Sequence, residues 1–141
     1  MIPMPDYYAR RKKLTQAERE AVYAKTNGHC AYCGAEITLK QMQADHVIPM
    51  EFFDAYKAVG KDIDNIENML PACRSCNNYK SSLTLEKLRQ AIERWPTILA
   101  RDSVTYRNAV RFRLVVPNPH PVVFYFEQIG VKLKGGGTGD A

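Results

Sequence analysis

Apolar residues recur along this chain with helical and alternating spacing, and the changes between the two mark out its elements. Leu14, Ala17, Ala21 and Ala24 fall at helical intervals behind a Thr15/Glu18 capping-box pair, and Asn27-Gly28 stops the run. A first helix is therefore predicted over about 15–26. The stretch from Ile37 to Pro49 reads as a strand or hairpin entering the centre of the molecule and ending in Asp45-His46-Val47-Ile48-Pro49. Residues 51–65 read as a short aromatic helix (Phe52, Phe53, Tyr56) followed by a polar loop. Asn68 to Ala72 is short and apolar, fitting a second strand that delivers Cys73 to a helical turn.

Thr84 is placed to cap a helix whose Leu85, Leu88, Ile92 and Trp95 share one face, a stripe expected in the core, with Pro96 as its stop. Asp102-Ser103 suits the cap of a further helix to about Arg113, although Val104 and Tyr106 also allow a strand. Val122 to Phe126, β-branched and aromatic after a Pro-Asn-Pro-His-Pro turn, is expected to be a C-terminal strand. Residues 1–13 read as a flexible basic arm, with Pro3 and Pro5 blocking helix, and 135–141 as a disordered Gly-rich tail. The pattern is that of an α+β chain, with 14–134 as a single domain.

Composition agrees with a folded unit. The 141 residues are 45% hydrophobic and 25% charged, close to the globular average. No run of 18 apolar residues occurs and the first residues lack the apolar stretch of a signal peptide, so membrane insertion and secretion are disfavoured and a cytoplasmic setting is expected.

Four cysteines form two pairs of identical spacing, Cys30-Ala-Tyr-Cys33 and Cys73-Arg-Ser-Cys76, with none left over. In a reducing compartment that pattern favours a tetrahedral thiolate site suited to Zn²⁺. Disulfides or a redox pair produce the same spacing, but a redox motif needs one pair and this chain has two. A site closed by four cysteines has no open position, so its zinc is structural. His29 abuts the first knuckle, where Cys30 and Cys33 already fill that half; His120 sits among prolines in an exposed turn. Net charge is +5, which zinc bound to four thiolates lowers to about +3. The excess, with the cluster Arg10-Arg11-Lys12-Lys13, is consistent with a polyanionic partner.

The ordered series Cys30-x2-Cys33, Asp45-His46-Val47-Ile48-Pro49, Asn68 and Cys73-x2-Cys76-Asn77-x2-Lys80 resembles the HNH nuclease family in its two-knuckle, zinc-bound form, across residues 28–84. The resemblance implies a ββα-metal core whose three signature positions are His46, Asn68 and Asn77. The third is Asn rather than His, a variation the family allows. It also implies a small stand-alone enzyme of phage or mobile-element type acting on DNA, with a phage or mobile-element protein as a candidate partner.

Phosphodiester hydrolysis needs an activated water, a cation for the developing charge and stabilisation of the leaving oxygen. A neutral imidazole can serve as base near neutral pH, which suits His46. Asp45 and Asn77 offer hard oxygens to Mg²⁺ or Mn²⁺. Asn68 is placed to brace the loop carrying His46, and Lys80, one helical turn from Asn77, to reach a phosphate. Adjacent residues on a strand point to opposite faces, so Asp45 and His46 can share a site only if the chain bends there. The reading is a metal-dependent DNA endonuclease; its rival is a non-catalytic zinc-knuckle module binding DNA or RNA, which would not need the Asp45/His46/Asn77 set.

Overall fold

The computed structural model describes residues 13–133. The expected Gly-rich tail, and all but the last residue of the expected basic arm, lie outside that range. Helix α1 (Gln16–Ala24) is opened by a capping box in which the Thr15 hydroxyl accepts from the Glu18 amide and the Glu18 carboxylate accepts from the Thr15 amide. Asn27 and Gly28 both adopt positive φ (52° and 82°), so the chain reverses where an L residue with a larger side chain would be strained.

Strand β1 (Gln43–His46) pairs antiparallel with β2 (Met69–Ala72) in the register Asp45 opposite Leu70 and His46 opposite Met69. Of the expected strand or hairpin from Ile37 to Pro49, only Gln43–His46 is regular strand. Between the strands run a 3₁₀ turn (Met50–Phe52), the short helix α2 (Phe53–Ala58), a polar loop and a second 3₁₀ turn (Ile66–Asn68). Helix α3 (Arg74–Lys80) follows β2 directly, capped by the Cys73 sulfur, and packs on β1. The result is a ββα unit inside an α+β chain.

Helix α4 (Leu85–Glu93) is capped by Thr84, with Leu85 and Leu88 buried. The helix stops before Trp95, the last member of the expected stripe. Trp95 is 38% exposed and opens a new helix, α5 (Trp95–Asp102). Pro96 sits in the first turn of α5, where its missing N–H costs nothing, and starts a helix rather than stopping one. Ser103 caps α6 (Val104–Arg111) by accepting from the Tyr106 amide, which decides for helix over strand there.

The expected C-terminal strand is absent. Residues 121–124 belong to no strand, with Phe124 extended, and Tyr125–Gln128 form helix α7. The amides of Tyr125 and Phe126 donate to the carbonyls of Tyr32 and Ala31, and the Ala31 amide already occupies the Pro71 carbonyl of β2. The apolar run there reflects burial of Phe124 and Phe126 in the main core, not pairing. Each such ring contributes about 2–3 kcal/mol. Arg89 fastens this segment: its guanidinium forms paired bonds to Glu127 (2.8 and 2.9 Å), donates to the Val122 carbonyl and lies 4.6 Å from the Phe124 ring centre. No helix among the described residues is long and apolar enough to cross a membrane.

Candidate active site

The four cysteine sulfurs lie within 4.8 Å of one another, and Cys33 and Cys73 are 3.9 Å apart. Zinc–sulfur bonds of about 2.3 Å in a tetrahedron space their sulfurs by about 3.8 Å, so the cluster fits an ion of that size. Gly34 turns the first knuckle at φ 80° with its amide on the Cys30 carbonyl. The electrostatics of the donors ask for a cation. A hydrogen bond from the Cys76 thiol pulls Cys30 down to about 4, while Cys76 and Cys33 are pushed up by the Cys30 interaction and by burial respectively. The Cys30 thiolate thus holds Cys76 protonated, and a bound dication would instead favour the thiolate form. His29 is not part of it: its Nδ1 faces the Asn27 carbonyl at 3.1 Å. His120 is exposed.

Beside this cluster, a polar cleft of about 250 Å³ is lined by Asp45, His46, Glu51, Asn77, Ser81 and Ser82 among others. Asp45 and His46 both reach it because β1 ends at His46 and the chain bends at Val47 and Ile48. Asn68 maintains that bend. Its side-chain oxygen accepts from the Ile48 amide (2.9 Å), and its side-chain nitrogen donates to the Ile48 and Ile63 carbonyls (3.1 and 2.8 Å). All its polar side-chain atoms are engaged with main chain, and it is not among the residues lining the cleft. Asn77 does line it, held in place because α3 begins at the second knuckle.

His46 is oriented by a residue that the sequence reading passed over. Its Nε2 lies 2.9 Å from Asp64 Oδ1, with the two side chains only 10% and 7% exposed. In a neutral imidazole that contact favours the proton on Nε2, and Nδ1 is then the nitrogen with the lone pair. Asp64 sits in the polar loop Asp62-Ile63-Asp64-Asn65, where the abundance of acidic and amide residues concealed the one that turns inward.

Lys80 departs from expectation. It is 0% exposed, its Nζ lies 3.1 Å from Asp45 Oδ2, and it donates to the His46 carbonyl at 2.9 Å. A side chain buried and paired in this way cannot reach a phosphate from solvent. Asp45 is itself 6% exposed and also accepts from the Tyr32 hydroxyl. Burial pushes the Asp45 carboxyl up, opposed by the Lys80 charge and the Tyr32 bond. Tyr32 is pushed well above the usual phenol range by burial and by the Asp45 charge, which keeps it a donor.

The described geometry places a cysteine cluster, a bent strand end and a capped helix around one cleft, in the order of a ββα unit. The HNH endonuclease family model matches residues 30–83. The chain carries an HNH endonuclease domain over that segment. Every cleft and cluster residue named above, Asp45, His46, Asp64, Asn77 and the four cysteines included, falls inside the HNH segment, whereas α4 to α7 lie beyond it. Among solved structures, the crystal structure of the Type II-C Cas9 enzyme from Actinomyces naeslundii is similar at 22% identity and a TM-score of 0.42, covering 59% of this chain and 8% of that one. No curated protein matches the chain.

Proposed function

We propose that this chain is a metal-dependent HNH endonuclease that hydrolyses DNA phosphodiester bonds, with residues 14–134 acting as one domain around the HNH segment and zinc as the structural ion of the four cysteines. The observation that carries the reading is the His46–Asp64 pair at 2.9 Å beside a cleft shared with Asp45 and Asn77. A non-catalytic binding module does not require this pair at the cleft.

In this reading Asp64 accepts the Nε2 proton of His46, and Nδ1 takes a proton from the attacking water. Asp45 and Asn77 would hold a divalent ion, Mg²⁺ or Mn²⁺, by oxygen atoms. Such an ion, when bound, neutralises charge developing on the phosphate and on the leaving oxygen. Glu51 also lines the cleft. Attack by water needs no neighbouring 2′-hydroxyl, so DNA is a competent substrate, and departure of the 3′-oxygen gives ligatable ends with 5′-phosphate and 3′-hydroxyl. Since Lys80 is buried, contact with the phosphate backbone falls to exposed arginines such as Arg111 and Arg113 and to the basic arm. Four ionised thiolates suit a reducing compartment such as the cytoplasm.

The test is supercoiled plasmid incubated with purified protein and Mg²⁺, Mn²⁺ or EDTA. Cation-dependent nicking or linearisation that disappears in His46→Ala supports the reading. Binding without cleavage under all three conditions would favour the zinc-knuckle module instead.

A further inference from the structure

Asp45 stands where the two halves of the cysteine cluster converge. Tyr32 lies between Cys30 and Cys33 in the first knuckle, and Lys80 lies at the end of the helix that the second knuckle opens. Both side chains end on the same carboxylate. The load is not shared equally between its oxygens. Oδ2 receives the Tyr32 hydroxyl and Lys80 Nζ at 3.1 Å, whereas Oδ1 has from these two only a Lys80 contact at 3.5 Å. A carboxylate oxygen accepts about two hydrogen bonds, so Oδ2 is filled and Oδ1 keeps capacity on a residue that lines the cleft. The same ammonium group holds the His46 carbonyl at 2.9 Å, tying the side chain of residue 45 and the main chain of residue 46 to α3, which carries Asn77.

We propose that Tyr32 and Lys80 are positioning residues that carry the rigid geometry of the cysteine cluster to Asp45, occupying Oδ2 so that Oδ1 is the atom presented to the catalytic cation. This rests on the reading of the cleft as a cation site. It gives the cysteine knuckles a second task besides stability: their closure sets where a ligand of the other metal points. It also assigns the fully buried lysine a role that no phosphate contact could give it.

Tyr32→Phe isolates the effect. The Tyr32 ring is held independently by edge contacts to Phe124 and Phe126, with centroids 5.4 and 6.4 Å away, so the substitution removes a hydroxyl and leaves the packing. The probe is Mn²⁺ titrated into the full-length, zinc-loaded protein, with free Mn²⁺ read by electron paramagnetic resonance and Asp45→Asn identifying the uptake that belongs to this site. Tyr32→Phe is expected to keep one zinc per chain and to bind Mn²⁺ about 10- to 100-fold more weakly, the usual cost of removing a partner of a metal-ligating side chain. Unchanged Mn²⁺ affinity in Tyr32→Phe overturns the proposal. So does loss of zinc in that variant, which would confine the hydroxyl to a role within the knuckle, or Mn²⁺ uptake that Asp45→Asn leaves intact. Weakened uptake in a protein that never cuts plasmid supports the positioning role and overturns the nuclease reading; cutting by wild type with unweakened uptake in Tyr32→Phe does the reverse.

Discussion

His46 and Asp64 are 18 positions apart in the chain, yet His46 Nε2 and Asp64 Oδ1 sit 2.9 Å apart and largely out of solvent. An imidazole held this way has one committed nitrogen and one free for chemistry. Asp64→Asn removes the charge and leaves the shape, so kcat for plasmid cleavage should fall about 10- to 100-fold with KM for DNA near the wild-type value. Loss of the base itself, in His46→Ala, should cost about 10² to 10⁴-fold. Steady-state kinetics on a nicking substrate measure both. An Asp64→Asn enzyme with full kcat would show that His46 needs no carboxylate partner.

Removing Lys80 should be read in stability before activity. Lys80→Met leaves the Asp45 carboxylate buried without its countercharge, and breaking a buried pair from one side costs about 3–5 kcal/mol. Pairing it with Asp45→Asn should recover a large part of that loss, because no uncompensated charge then remains. Urea denaturation of the two single variants and the double variant gives the coupling. Additive losses in the double variant would contradict a direct charge pair.

Zinc content and fold should stand or fall together. Structural zinc supplies apparent binding energy of about 10–16 kcal/mol in small zinc peptides, comparable to the stability of a whole domain. Cys73→Ser removes a ligand while its hydroxyl can still cap α3, so the effect reads the metal. The variant should lose metal by elemental analysis and lose ordered structure by circular dichroism. Wild-type protein purified without chelators and free of zinc would refute the assignment.

The Arg89–Glu127 clamp should give a pH signature. Hydrogen bonds from Arg89 hold the Glu127 carboxyl below its usual range. A carboxyl depressed in the folded state stabilises above its unfolded value of about 4.3, and the contribution fades as pH falls through the lower folded value. Glu127→Gln should therefore cost about 1 kcal/mol at pH 6, solvent screening having reduced a partly exposed pair, with the difference from wild type vanishing at pH well below 4. Thermal melts across pH test this. A gap between the two proteins that persists in acid would point to packing rather than charge.

Arg111 and Arg113 are exposed at the end of α6, with no acidic residue in that helix to offset them. If they contact phosphates, changing both to Gln should lower duplex affinity about evenly across sequences. The slope of log K against log salt should flatten by about two. Fluorescence anisotropy at several salt concentrations measures it. An unchanged slope would place the backbone contacts elsewhere.

Local chemistry was enough to identify much of this protein from its sequence. Thr15 with Glu18, Thr84 and Ser103 announce helix starts because each satisfies amides within three residues of itself. The paired knuckles announce a metal cluster because two thiols three positions apart close on one ion, and the order of cysteines, Asp45-His46 and Asn77 marks the HNH segment. What depended on partners far along the chain stayed hidden. Val122 to Phe126 has the composition of a strand, yet the edge it would need is taken by Ala31, and an Arg89 on another helix fastens it as a turn into α7. Lys80 has the spacing of a phosphate contact, but burial beside Asp45 turns its charge inward. Tyr32 and Asp64 carry no motif at all, since their meaning lies in a carboxylate 13 residues away and an imidazole 18 residues away. Short-range hydrogen bonds can be written into neighbouring residues, whereas the direction of a buried charge is decided only when the folded chain has excluded the water around it.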